Sequence, residues 1–272
     1  MSHPDVVSAQ WLHENLDHPD VVIVDCRFSL QNPELGRQQY QNSHIAGSFY
    51  LDLNQDLSSP VQRHGGRHPL PDFEKLAAQF CQMGITSGKT MVVAYDDSRF
   101  AFASRLWWLL RYMGHDQVAV LDGGFANWQT CNYALSTEIP IRHRGEFVVD
   151  LQHEMVVDIE TVKARKDAMG VVLVDAREGD RYRGEREPID PIAGHIDGAV
   201  NFPWLDLTDE RGFIVDAHSD RWQNLVDAQE VIVYCGSGVT ACVDLLSLHL
   251  SGFRKTRLYA GSWSDWCSYL LL

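Results

Sequence analysis

The chain repeats itself, and that duplication limits the folds open to it more than any other feature. The first half runs "VVIVDCR", "HIAGSFYLDL", "MVVAYDDS", "SRLWWLLRYMG" and "LDGGFANW". The second answers in the same order with "VVLVDAR", "HIDGAVNFPW", "VIVYCGS", "VDLLSLHLSG" and "YAGSWSDW". The interval from Asp25 to His44 equals that from Asp175 to His195 to within one residue. So does Asp96 to Trp128 against Cys235 to Trp266. Matched segments at matched spacing mean two copies of one unit. Each copy alternates short β-branched runs with amphipathic, helix-length segments, the pattern of a mainly parallel sheet with helices on both faces. The expected fold class is therefore α/β, built twice.

The pattern places strands near 21–25, 90–95 and 117–121, with helices near 72–83, 100–112 and 124–131. In the second copy the strands fall near 171–175, 230–234 and 256–259, and the helices near 218–227, 239–251 and 262–270. Gly252, just past "LLSLHLS", suits a helix end. Between the copies, "STEIPIRHRGEFVVDLQHE" lacks helical periodicity and reads as a linker. Two domains are expected, 1–142 and 143–272.

Duplication also works as an internal control, because what recurs is scaffold before it is chemistry. Asp25 and Arg27 recur as Asp175 and Arg177, and are read as buried ion pairs tying loops together. His44 and His195 recur in "HI-x-G" and are read as hydrogen-bonding a turn rather than holding a metal. The differences carry more. Where the first copy has "YDDSRF", with Asp96 after the strand, the second has "YCGSGV", with Cys235.

A thiol at a strand's C-terminal end, under the first turn of a helix, lies where an anion is favoured. Gly236 and Gly238 permit positive φ and remove bulk, so the N–H groups of Gly236, Ser237, Gly238, Val239 and Thr240 can turn toward one sulfur. An ordinary buried cysteine in a tight turn is the plainer alternative, and the asymmetry of the repeat argues against it. The other five cysteines, at 26, 81, 131, 242 and 267, form no C-x-x-C pair and are read as small reduced side chains, mostly buried.

Two rival uses of the loop fail on their own terms. "GSGVTA" has the form G-x-G-x-x-A of a dinucleotide turn, but it comes late in the chain. The place after the next strand reads Leu258-Tyr259-Ala260-Gly261, with no acidic residue for a ribose. A cysteine phosphatase needs C-x5-R, and here Ala241 stands where the arginine would grip phosphate.

Charge and hydropathy narrow the partners. With 23 Lys+Arg against 37 Asp+Glu, a net charge of -14 argues against nucleic acid and anionic membrane. No apolar run approaches the roughly 18 residues of a membrane helix. "MSHPDVVSAQWLHENLDHPD" has no basic region followed by an apolar core, so a cytoplasmic protein is expected.

"CGSGVTA", the paired "HI-x-G" turns and the closing "GSWSDW" together resemble the rhodanese superfamily of sulfurtransferases, in its tandem form with an inactive first domain and an active second one. Within it, the loop looks like that of 3-mercaptopyruvate sulfurtransferases; thiosulfate enzymes of similar build usually carry a basic pair after the cysteine. The resemblance implies a persulfide on Cys235, and Arg181 in "DAREGDRYRGERE" as the clamp on the donor's carboxylate, with Arg186 a second candidate. The family's second arginine falls nearer Ile189, where this chain is shorter. A serine–histidine–aspartate relay is implied too: Ser237 and His68 match, while the aspartate position reads Asn54, with Asp52 close by. The resemblance further implies no cofactor and no metal. It points to a small sulfur donor, and to an acceptor such as thioredoxin, a low-molecular-weight thiol or, in vitro, cyanide. Thiosulfate:cyanide transfer and a sulfur-carrying module without turnover are the alternatives.

Overall fold

The computed structural model describes residues 4–215 and 220–271. They form two compact units. One comprises the chain up to Ser59, Pro71–Gln152 and Thr208–Ile214; the other comprises Pro60–Leu70, His153–Leu207 and Val215 onward. Each unit thus takes in a short arm whose sequence lies within the other repeat.

In the first unit five parallel strands run in the order Val6–Val7, Val118–Leu121, Met91–Tyr95, Val21–Asp25, Ser48–Tyr50. The second unit reproduces the order with Val156–Val157, Thr256–Tyr259, Glu230–Tyr234, Val171–Asp175, Val200–Asn201, again all parallel. The central strands of the first sheet are buried end to end, as strands covered on both faces must be. Parallel register sets Asp25 against Tyr95 and Asp175 against Tyr234. The next residue out on the middle strand is Asp96 in one unit and Cys235 in the other. That position, at the carboxyl end of the central strand, is where open α/β sheets place their sites.

The recurring pairs are scaffold. Arg27 Nη2 lies 2.6 Å from Asp25 Oδ2 and donates to Ser43 O at 2.7 Å; Arg177 does the same with Asp175 and with Gly194 O, at 2.6 and 2.7 Å. His44 Nδ1 meets Tyr40 O at 2.6 Å and His195 Nδ1 meets Tyr182 O at 2.7 Å, each ring stacked on the tyrosine that supplies its carbonyl.

Helix boundaries shift for identifiable reasons. The helix expected over 100–112 is Ala103–Tyr112, because Arg99 and Phe100 take positive φ and the preceding loop folds around a carboxylate. The one expected over 239–251 is Ala241–Leu250, since Gly238 takes φ 77°. Gly252, at φ 88°, ends it; Phe253 N donates to Leu248 O at 3.0 Å, the bond of a Schellman cap. Of the helix expected over 218–227, residues 218 and 219 lie outside the described residues, and Asp220–Leu225 is a 3₁₀ helix. Its buried side chains, Trp222 and Leu225, stand three apart, the spacing that a 3₁₀ turn puts on one face. No helix among the described residues is long and apolar enough to cross a membrane.

Candidate active site

Cys235 leaves the strand Glu230–Tyr234 and is pinned by the turn after the next strand. Its N–H donates to Ser262 Oγ at 3.1 Å, and its carbonyl accepts from Trp263 N at 3.0 Å. Gly236 O accepts from Ser264 N at 2.9 Å. Ser262 sits at φ 56°, a left-handed position that costs a non-glycine residue roughly 1–2 kcal/mol. Its counterpart in the first unit is Gly124, at φ 54°. The serine accepts that strain and uses its hydroxyl to hold the cysteine backbone. Sequence reading passed over it, although the signal was there: "LDGGFANW" aligns Gly124 with Ser262.

The two loop glycines serve different ends. Gly238 alone has positive φ, and a Cβ there would stand 2.2 Å from Ala260 O. Gly236 is glycine for space: a Cβ there would lie 3.0 Å from Arg67 Nη2, with the Arg181 nitrogens at 3.6 and 3.7 Å. Of the two properties expected of these glycines, Gly238 uses the positive φ and Gly236 the missing bulk. Val239 is buried, and Thr240 opens the helix without a side-chain cap bond. Cys235 itself is 2% exposed, more enclosed than an openly reachable thiol.

The first unit shows what such a loop holds. Asp96 Oδ1 accepts from Ser98 N at 2.8 Å and Phe100 N at 3.1 Å; Oδ2 accepts from Phe102 N at 2.9 Å and Ala103 N at 2.8 Å. Burial pushes this carboxyl up, and the amides only partly offset it. Four converging N–H donors leave a carboxylic proton no acceptor, so the geometry takes the carboxylate. The helices that follow begin at Ala103 and Ala241, so Phe102 and Ala103 correspond to Thr240 and Ala241, and the second loop is one residue shorter. One unit has filled its anion cradle with its own side chain; the other presents a thiol.

Ser237 Oγ lies 2.7 Å from His68 Nδ1, both residues buried. The arm carrying His68 is fastened to the helix Ser262–Leu270: Gly65 N donates to Asp265 Oδ1 at 2.6 Å and Arg67 N to Ser264 Oγ at 3.1 Å. His64 bonds Ser268 Oγ at 2.7 Å and stacks on Tyr269. In the other unit Asn54 is exposed and gives its N–H to Asp52 Oδ1 at 2.8 Å; Asp52 is buried.

Of the two arginines expected at the loop, the structure brings Arg181. It is buried and donates to Glu187 Oε1 at 2.7 Å and Asp190 Oδ2 at 3.3 Å. Burial pushes Glu187 up, but Arg181 and the amides of Asp190 and Ile189 outweigh it and hold the carboxyl below its usual range. Arg186 is half exposed and paired with Asp180 Oδ2 at 2.5 Å; Arg183 pairs with Glu185. The second cation beside Gly236 is Arg67, one residue before His68 and paired with Asp190. Sequence reading took His68 from "GGRHPLP", and nothing in that stretch marks its neighbour as a cation for the loop.

The remaining thiols differ in surroundings. Cys26, Cys242 and Cys267 are buried, whereas Cys81 is partly and Cys131 fully exposed. Burial, with Asp25 and Asp96 nearby, pushes Cys26 far up, and burial pushes Cys267 up to about 11.

Asp244, in the helix that follows the loop, donates a pH dependence. Burial pushes its carboxyl up to about 8, only partly offset by Arg221, whose Nη2 is 2.9 Å away. An unfolded aspartate loses its proton near 3.8. Between these values the folded protein holds one more proton than the unfolded chain, so stability falls as pH rises through that window and levels off above it. Asp244→Asn cannot ionise and flattens the decline; denaturant midpoints between about pH 5 and 9 check this.

Two parallel α/β units, one with Asp96 and the other with Cys235 at the carboxyl end of the central strand, describe a duplicated α/β protein. The family of the Rhodanese-like domain matches residues 8–131 and 158–269. The chain belongs to that family. It is 42% identical over 273 residues to a probable 3-mercaptopyruvate sulfurtransferase from Pseudomonas aeruginosa, covering 98% of this chain and 96% of the relative. A 3-mercaptopyruvate sulfurtransferase from Leishmania major superposes with a TM-score of 0.85 at 26% identity, over 99% of this chain and 76% of that one. The crystal structure of SseA from Escherichia coli, described under 3-mercaptopyruvate sulfotransferases, gives 0.80 at 32% identity over 96% of this chain and all of its own.

Proposed function

We propose that this protein is a sulfurtransferase that moves sulfur from 3-mercaptopyruvate to a thiol through a persulfide on Cys235. The observation that carries it is the thiol set in an uncharged glycine loop beside Arg181 and Arg67. In the first step the Cys235 thiolate attacks the donor's sulfur, the S–C bond breaks, and its electrons leave on pyruvate as the enolate. The proton of the donor's thiol ends on that carbon, so the products are the persulfide anion and pyruvate. Loop amides hold the charge on sulfur, and Arg181 grips the carboxylate. The Ser237–His68 pair, 2.7 Å apart, relays the proton. In the second step an acceptor RSH takes the outer sulfur as RSSH, or cyanide takes it as thiocyanate, and the thiolate returns. A small thiol or thioredoxin in the cytoplasm is the acceptor this chemistry suits.

In this reading residues 143–272 form the catalytic domain, completed by His68 and Arg67 from the arm Pro60–Leu70, and the rest of 1–142 is non-catalytic, its cradle closed by Asp96. Thiosulfate, a compact dianion, finds no basic side chain at Gly236 or Ser237. With cyanide as acceptor, kcat/KM for 3-mercaptopyruvate exceeds that for thiosulfate by roughly tenfold or more, the worth of one charge-assisted contact. The reverse ranking would make the protein a thiosulfate enzyme.

A further inference from the structure

The cluster beside the loop holds more than one clamp needs. Arg181 gives one nitrogen to both Glu187 and Asp190, at 2.7 and 3.3 Å. Asp190 turns its other oxygen to Arg67, so one buried carboxylate bridges two guanidiniums. Both guanidiniums border the space over Gly236 that a side chain there would fill. Ile189, where the family resemblance puts a second arginine, is apolar and 47% exposed. The second cation comes from the arm instead, on the residue before His68.

We propose that Arg67 is the second cation of the donor site, and that Asp190, shared between Arg67 and Arg181, selects a singly charged donor over a doubly charged one. The inference rests on the sulfurtransferase reading above and deepens it. Two guanidiniums face Asp190 and Glu187, so the cluster is close to neutral before the donor arrives. One incoming carboxylate engages guanidinium donors that already carry the right geometry. A dianion brings a second negative charge up to Asp190 in partly desolvated surroundings, where like charges repel more strongly than in water. Removing the Asp190 charge while keeping its shape lifts that discrimination.

Steady-state kinetics with 3-mercaptopyruvate and with thiosulfate, cyanide as acceptor, test both halves. Arg67→Gln raises KM for 3-mercaptopyruvate about tenfold or more while kcat stays within about threefold, and Arg67→Lys recovers part of the loss. Asp190→Asn moves the ratio of kcat/KM values toward thiosulfate by about tenfold. Were Arg67 only a tether for its arm, Arg67→Gln would disturb His68, lowering kcat and the thermal midpoint while leaving KM alone; that result overturns the proposal. An unchanged donor ratio in Asp190→Asn overturns the selectivity half, and this near-isosteric variant remains informative if Arg67→Gln folds poorly. Intact mass keeps the two readings apart. A wild-type protein that gains no sulfur from either donor refutes the sulfurtransferase reading, whereas a persulfide formed with unaltered KM in Arg67→Gln refutes only the role of Arg67.

Discussion

Cys235→Ser forms no persulfide: after incubation with donor, the intact mass stays that of the unmodified chain, and pyruvate release falls by at least about a thousandfold. The magnitude follows from chemistry, since a hydroxyl is neither nucleophilic at neutral pH nor able to carry a second sulfur. No other thiol substitutes. Burial holds the Cys26 and Cys267 thiols protonated, the latter at about 11. Cys131 is exposed at the end of a helix in the other unit, away from any cradle. Cys267→Ser, by contrast, gains one sulfur as the wild type does. Substantial turnover in Cys235→Ser would remove the persulfide from the mechanism.

Gly238→Ala is the second large effect, and Gly252→Ala is its control. Both glycines have positive φ, 77° and 88°. At Gly252 a Cβ meets nothing within 4 Å, so only the left-handed backbone is penalised, by about 1 kcal/mol. At Gly238 the same atom stands 2.2 Å from Ala260 O, a backbone atom in the turn that pins Cys235. Something must shift, and either the loop or the turn carries the thiol with it. Stability drops by about 3 kcal/mol or more. Displacement of Ser237 from His68 by an ångström costs roughly a hundredfold in kcat/KM. Denaturant titration of the two variants beside activity checks the pair. Equal losses of stability would mean that the contact with Ala260 is relieved without strain.

The cysteine was legible because the repeat supplies its own comparison. One copy has Asp96 and the other Cys235 after the same strand. The purpose of Asp96 was not legible. That its carboxylate takes four amides depends on positive φ at Arg99 and Phe100, residue types whose sequence carries no such signal. Gly236 shows a related limit: sequence leaves open whether a loop glycine supplies left-handed backbone or space, and this one makes room for guanidiniums from two distant segments.

The sequence by itself determined the duplicated parallel α/β architecture, the ion pairs that repeat in it and the one thiol that replaces a carboxylate between the copies. Each of these is written in local periodicity or in a difference between aligned positions. The resemblance named His68, Ser237 and Arg181; tertiary structure alone brought them together and added Arg67 with Asp190. His68 meets Ser237 across 169 residues of chain and Arg67 meets Asp190 across 123, through an arm that packs with the second unit. Contacts of that separation are set by how the arm docks on the helix after Gly261, and an arginine's reach is fixed only once that docking is made.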